Sequence, residues 1–451
     1  MINKIEKTRQ EILKKGQKII NLSSGNPGEF GIFFPEKILQ NAYGKFLKNP
    51  AYHPEPKGDL KARKAIAGFY AKRNFNVNPD QILLTSGTSE SYFEVFKLLN
   101  PHDAISESSG HACTNSIPCA PATRCEILLP NPSYPLFEEI ARLAEVDFSF
   151  YRLDEKAGWQ IDLNDLRAKI RPETRAIVLI SPSNPTGAVL SEKTLKEVIK
   201  IAVENNLAII SDEVFSEFMF DQKVFPRVAQ IHQKMADKSE KASKANSALT
   251  KKNIQNSFEK IQNLRIFTLS GISKTYALPG LKLGWIVVTG SQNQSHHGPN
   301  NNTHFSETVN ELERLADTFL ACNQLTQTML PDIISKGESF IKKYRNHLQK
   351  NRDLAMKILG GCPKITFHKS EGGMYLFVRI DGLFKTERTA HGPRKRPVTD
   401  EEFVIKLLEK HKIFVHPGYF YDYDNGLYLL ISFLIPKKEL EKSLKRIIAI
   451  L

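Results

Sequence analysis

Six short apolar runs set the terms on which this chain can fold. They cover residues 82–84, 127–129, 176–180, 207–210, 265–269 and 285–289. Each is continuous rather than alternating, the pattern of strands buried on both faces. Between the runs at 176–180 and 207–210 lies a segment, 191–206, with Leu195, Val198, Ile199 and Ala202 on one helical face. One helix between two strands is what a right-handed parallel crossover requires. The expectation is an α/β fold with a mainly parallel sheet covered by helices, spanning residues 49–290. Residues 1–48 and 304–451 are expected to form a smaller α+β domain. Its helices are predicted over 307–321 and 332–359, and its strands over 374–380 and 427–433.

A chain of 451 residues can bury a core of this size. Four polar segments interrupt it, at 104–125, 223–262, 291–306 and 385–398, and all four read as surface loops. The net charge of +14 gathers partly in these segments. No aromatic-plus-basic recognition motif accompanies it, so a solvated basic surface is expected and no specific nucleic acid. No apolar run approaches the ~18 residues of a membrane span. Residues 1–18 are charged and lack the apolar centre of a signal peptide. The expected location is the cytoplasm. Of the five cysteines, Cys113, Cys119 and Cys125 share one polar segment, without the paired spacing of a zinc site. Neither a metal nor a disulfide framework is expected, and these three cysteines receive no role.

Polar residues follow the apolar runs in a definite order. The run at 265–269 leads through Ser270-Gly271-Ile272-Ser273 to Lys274, with Pro279-Gly280 and Lys282 before the next run. A lysine among small residues between two buried strands has a desolvated amine. Desolvation favours the neutral, nucleophilic form. Asp212 follows the run at 207–210, in Ser211-Asp212-Glu213-Val214-Phe215. The sequence Ser183-Asn184-Pro185-Thr186-Gly187 follows the run at 176–180. Thr85-Ser86-Gly87-Thr88-Ser89-Glu90 follows the run at 82–84 and opens a helical pattern. Free N–H groups at such a helix start suit a phosphate. Asn131-Pro132-Ser133-Tyr134-Pro135 and Tyr52-His53-Pro54-Glu55-Pro56-Lys57-Gly58 complete the set.

Taken together, these segments resemble the class I/II aminotransferases, the fold-type I enzymes that use pyridoxal 5'-phosphate. The resemblance covers most of residues 21–436 apart from the polar segments. It implies that Lys274 forms the imine with the cofactor and moves protons, and that Asp212 keeps the pyridine nitrogen protonated. Asn184 would bond the phenolic oxygen and Tyr134 would stack on the ring. Ser86, Gly87, Thr88, Ser273 and Lys282 would hold the phosphate. It also implies a homodimer with shared active sites, Tyr52 reaching the partner's phosphate. Gly25 and Asn26 would lie beside the substrate.

The chain departs from that family at four places. Lys282 stands where an arginine holds the phosphate, which loses the bidentate fork. Gly271 stands where a serine commonly contacts the phosphate. Phe215 replaces a tyrosine, which removes a donor to the ring oxygen. Leu430 holds the place of the arginine that clamps the substrate carboxylate. A desolvated carboxylate needs a charged or multidentate partner. Either the substrate is an unusual amine or the clamp has moved, and Arg379 is the sequence's candidate for a moved clamp.

The reaction expected is amino-group transfer between an amino acid and a 2-oxo acid. A lyase that expels a β-substituent uses the same cofactor, and a non-catalytic protein on the same fold belongs to a different class. The changes at Leu430, Phe215 and Lys282 keep the second alive. The absence of a helix-turn-helix segment counts against it.

Overall fold

The computed structural model describes residues 3–100, 124–221, 223–245, 260–290, 303–389 and 392–451. The first nine strands are β1 (Ile20–Asn21), β2 (Ile82–Thr85), β3 (Glu126–Asn131), β4 (Asp147–Asp154), β5 (Gln160–Ile161), β6 (Thr174–Ile180), β7 (Ala208–Asp212), β8 (Ile266–Gly271) and β9 (Gly284–Thr289). Eight of them form one sheet in the order β2-β9-β8-β7-β6-β3-β4-β5. β4, β3, β6, β7 and β8 run parallel, while β9 lies antiparallel to both β2 and β8.

Alternate residues of each strand feed two separate cores, which is why these runs carry no polar alternation. Leu83, Ile127, Val178, Ile210, Phe267 and Ile286 pack on one face with Val95, Phe96 and Leu99 of the helix Thr88–Leu99. Leu84, Leu128, Ile177, Ile209, Ile266 and Val287 pack on the other, with Leu195, Val198 and Ile199 of the helix Glu192–Glu204. Ser191 caps that second helix by accepting the Thr194 N–H at 3.0 Å.

The remaining strands are β10 (Ile365–Phe367), β11 (Tyr375–Ile380), β12 (Phe384–Thr389), β13 (Gly392–Pro397), β14 (Ile413–Phe414), β15 (His416–Pro417) and β16 (Leu427–Ser432). A four-stranded antiparallel sheet has the order β10-β11-β16-β15, and β1 pairs in parallel with β14. This second sheet packs close to the carboxyl ends of the first. Gly187 accepts the N–H groups of Glu371 and Gly372, and Phe220 donates to Glu371.

Several expected boundaries change. Two of the polar segments hold regular structure. An 18-residue helix, Val228–Ala245, occupies much of 223–262. Its Val228, Ala229 and Ile231 are buried, and its later positions are lysine- and serine-rich, which hid the helix in the sequence. β12 and β13 form a hairpin across 385–398. Arg396 and Lys385 both pair there with Glu387 and Glu402, a charge lattice in place of an apolar face. Of 104–125 and 291–306, almost all lies outside the described residues, including Cys113 and Cys119. The helix expected to begin at 307 runs over Thr303–Phe319. The helix expected over 332–359 is two, Gln324–Lys336 and Glu338–Leu359, broken at Gly337. A Cβ there would stand 2.5 Å from both the Ile333 carbonyl oxygen and the Tyr276 ring.

Candidate active site

Strand ends and one helix start bring the polar residues together. Asp212 ends β7 opposite Ile180 of β6 and Leu269 of β8. Asn184 lies in the loop after β6, and Lys274 in the single helical turn Ile272–Thr275 after β8. These are the carboxyl ends of adjacent parallel strands, where open α/β sheets bind ligands.

The Lys274 Nζ donates to the Gly25 carbonyl at 3.1 Å. Burial holds this amine below the usual lysine range. Gly25 is hemmed in. A Cβ on it would come within 2.4 Å of the Tyr375 hydroxyl and 3.5 Å of Lys274 Nζ. The crossing loop therefore approaches the lysine only as a glycine. The Asn26 side chain turns away from this point and caps the short helix Pro27–Phe30, accepting the Gly28 N–H at 3.2 Å.

Asp212 is buried and holds two donors. Its Oδ1 accepts the Val214 N–H at 3.0 Å, and its Oδ2 accepts the Tyr92 hydroxyl at 3.0 Å. Burial pushes its carboxyl up to about 6 against the pull of those two bonds. The neighbouring Glu213 points to the other side, where it pairs with Arg227 at 3.0 Å. Strand alternation thus separates the two adjacent acids, and Asp212 faces the cluster. The Asn184 Oδ1 is buried and has no hydrogen-bond partner among the described residues. A buried amide oxygen in that state points to a missing ligand.

Three glycines build the phosphate side. Gly87 has φ of +140°, a conformation side chains resist. A Cβ on Gly284 would stand 2.9 Å from the Gly87 backbone, and one on Gly271 would stand 2.9 Å from the Leu283 carbonyl. The loop before the helix Thr88–Leu99 therefore lies directly on β9, and the serine of related chains has no room at Gly271. The Lys282 Nζ lies 4.0 Å from where a Gly87 Cβ would be. The Ser86 N–H is held by Glu90 Oε2 at 2.9 Å. Thr88 is the first residue of its helix, and Ser273 is half-buried beside Lys274.

Tyr134 stands at the rim, 44% exposed, with its ring 6.3 Å from that of Phe137. Tyr52 is 63% exposed. Phe215 is buried with its ring edge-on to Tyr375 at 6.2 Å. Arg379 does not join the cluster. It sits four residues along β11 from Tyr375, half-exposed, and pairs with Asp381 at 2.8 Å. At ~3.4 Å per strand residue it lies more than 10 Å from the Tyr375 end. The sequence reading missed Tyr92, Tyr375, Tyr421 and His416. Tyr92 had a signal, since it lies one turn after Thr88 on the same helix. The other three are brought in by tertiary pairing.

Pyridoxal phosphate fits these residues. An unpartnered amide oxygen, a buried carboxylate with room for one more donor, a desolvated amine and a glycine cradle beside a lysine match its ring and phosphate. The chain belongs to the class I and II aminotransferases, whose family model matches residues 17–447. It is a pyridoxal-phosphate-dependent aminotransferase. It is 28% identical over 418 residues to the glutamate-pyruvate aminotransferase of Escherichia coli, covering 91% of this chain and 85% of that protein. Over 441 residues it is 25% identical to the alanine aminotransferase of Mycobacterium tuberculosis, covering 96% and 85%. A solved aminotransferase from Escherichia coli has a TM-score of 0.75 at 25% identity, covering 99% of this chain and 94% of that one. The aspartate aminotransferase of Rhizobium meliloti, at 20% identity, shares the fold with a TM-score of 0.76 over 100% and 96% of the two chains.

Proposed function

We propose that this enzyme moves an amino group between an α-amino acid and a 2-oxo acid, with Lys274 as the proton carrier and Asp212 as the anchor of the ring nitrogen. The observation that carries the assignment is the buried Lys274 amine against Gly25, with Asp212 and Asn184 at the ends of the neighbouring strands. When bound, the cofactor supplies an electron sink for the pair released at the substrate Cα.

The residues of this chain supply the rest. The Lys274 amine, whose burial favours its neutral form, takes the proton from the substrate Cα and returns it on the far side of the amino nitrogen. One base beside both positions gains its advantage from placement. Asp212, charged and held by Tyr92 and Val214, favours a protonated partner at the ring nitrogen. The Asn184 side-chain NH2 is assigned as donor to the ring oxygen, and Phe215 offers none of the competing donation a tyrosine would. Tyr134 at the rim is assigned to the ring face. Lys282, with the N–H groups around Gly87 and Thr88 and the hydroxyls of Ser86 and Ser273, is assigned to the phosphate.

Two coarser features belong to the same proposal. The chain acts as a homodimer in which exposed Tyr52 serves the partner's site. The enzyme works in the cytoplasm, a reading supported by the lack of a membrane-length apolar helix among the described residues.

The test is a half-reaction. Purified enzyme is mixed with alanine or glutamate alone, and the cofactor's absorbance is followed together with the oxo product. Conversion to the amine form with stoichiometric pyruvate or 2-oxoglutarate is expected. Repeated with cysteine, which carries the β leaving group that alanine and glutamate lack, release of pyruvate, ammonia and sulfide with no change of cofactor form would assign a lyase instead.

A further inference from the structure

The place of the missing arginine is not a gap. Leu430 on β16 is fully buried and pairs with Phe377 of β11 on one side and His416 of β15 on the other. Residues opposed across antiparallel strands share a face, so these three side chains form one row. Tyr421 lies over that row. Its ring centroid is 6.2 Å from Phe377 and 6.0 Å from His416, and its hydroxyl is 2.9 Å from His416 Nδ1. The next row on the same face begins with Tyr375, opposite Ser432, and the Tyr375 hydroxyl lies against Gly25 beside Lys274. Tyr421 is also near enough to Tyr375 and Tyr134 to feel their phenol groups. Tyr375 thus links the surroundings of Tyr421 to Gly25 and the lysine.

His416 is fixed from behind. Its backbone N–H donates to Ser23 Oγ at 2.6 Å, and that hydroxyl donates to the Leu430 carbonyl at 3.1 Å. Around its ring lie Phe414 at 5.3 Å and Phe420 at 5.4 Å. The nearby cation is Arg9, which lies over Phe414 at 5.6 Å and is held by Glu6 at 2.8 Å.

We propose that Tyr421, oriented by His416, is the hydrogen-bond donor that reads the substrate's α-carboxylate in this enzyme, at the position where Leu430 provides no cation. The assignment rests on the aminotransferase reading above. The geometry gives Tyr421 the chemistry for it. Burial, and then the Tyr375 and Tyr134 phenols, push its hydroxyl well above the usual range, so it remains a donor at every working pH. Burial, and then Arg9, push His416 down to about 4, so its ring is neutral with a single N–H. With that hydrogen on Nδ1, His416 donates to the Tyr421 oxygen and leaves the phenol proton free for a substrate oxygen. Arg379 is too far along β11 to take this role.

The experiment uses the purified, cofactor-loaded enzyme and two small probes, propionate and propanamide, with binding measured by calorimetry. Tyr421→Phe removes one oxygen and keeps the ring. It is expected to weaken propionate about tenfold, the size of one hydrogen bond to a charged group, and propanamide by much less. The ratio of kcat/KM for alanine over ethylamine is expected to fall by a similar factor. Adding Leu430→Arg to Tyr421→Phe is expected to restore propionate binding. Three results overturn the proposal: no propionate binding to the parent enzyme, equal binding by parent and variant, or equal weakening of both probes. If alanine gives no cofactor conversion while propionate binding still depends on Tyr421, the transfer reading fails and the carboxylate assignment stands.

Discussion

Tyr92 donates its hydroxyl to Asp212 Oδ2 at 3.0 Å, across 120 residues of sequence and with both groups buried. The bond fixes the carboxylate from the helix side, while the Val214 N–H fixes it from its own loop. The remaining lone pairs are those the proposed function assigns to the cofactor ring. Tyr92 is therefore a positioning residue, acting through Asp212 rather than on the substrate.

Removing that hydroxyl has a signed consequence. Burial raises the Asp212 carboxyl and the Tyr92 bond lowers it, so Tyr92→Phe raises it further. Protonated Asp212 then persists to higher pH, and the acid limb of the kcat/KM profile is expected to move upward. The loss of a hydrogen bond to a charged group corresponds to roughly tenfold in rate. A pH–rate series on parent and variant checks both, and an unmoved acid limb with a tenfold loss would make Tyr92 a packing residue.

Lys274→Ala is expected to abolish covalent capture of the cofactor by borohydride, read by mass spectrometry, and to slow transfer by ~10²–10⁴-fold, the usual contribution of a placed base. Full turnover in this variant would remove Lys274 from the mechanism.

Gly25→Ala places a methyl group 2.4 Å from the Tyr375 hydroxyl and in contact, at 3.5 Å, with the Lys274 amine, so that relief of the clash displaces the loop or the ring beside the lysine. A displacement near 1 Å at the base is worth about 10²-fold. Pairing it with Tyr375→Phe removes the atom 2.4 Å away and is expected to recover part of the loss. Stopped-flow conversion with alanine separates the variants. No recovery would mean that the methyl acts through the lysine alone.

Glu94, on the helix Thr88–Leu99, is buried, and its carboxylate oxygens have no hydrogen-bond partner among the described residues. Burial, and then Glu90 one turn earlier, push it up to about 9. The unfolded chain releases this proton from about pH 4.5, while the folded chain holds it to about 9. Stability is therefore expected to fall across that window as pH rises, by at most about 1.4 kcal/mol per unit. Glu94→Gln keeps the shape and removes the titration. Urea unfolding at pH 6 and pH 8 is expected to show the variant gaining on the parent at the higher pH, and parallel losses would show Glu94 to be uncoupled.

Mixing Tyr52→Phe subunits with Lys274→Ala subunits tests shared sites. In the heterodimer one site carries both defects and the other neither. Activity is expected to rise on mixing, and a monomer by light scattering would end the argument.

Much of the cofactor side was legible from the chain because the sheet announces itself locally. Continuous apolar runs place Asp212, Asn184 and Lys274 at strand ends, and strand ends converge. The substrate side was not. Tyr421 and His416 reach it through the pairing of β15 with β16, and no local pattern encodes which strand will lie beside Leu430. Arg379 offers the right charge, yet position along β11 decides reach, and that is a register fact. The helix Val228–Ala245 lacks a sustained apolar stripe in the sequence, because its later positions are lysine- and serine-rich. The β12–β13 hairpin lacks one too, because charge pairs hold it.

The two cradles of this enzyme belong to different sheets. The groups assigned to the cofactor ride on β7, β8 and the Gly87–Gly284 backbone contact, whereas Leu430, His416 and Tyr375 ride on β11, β15 and β16. Substitutions in the second set can redirect what the enzyme accepts without touching the atoms that make it an electron sink. An evolving lineage, or a designer, can therefore treat selectivity as a replaceable part mounted opposite a fixed chemical engine.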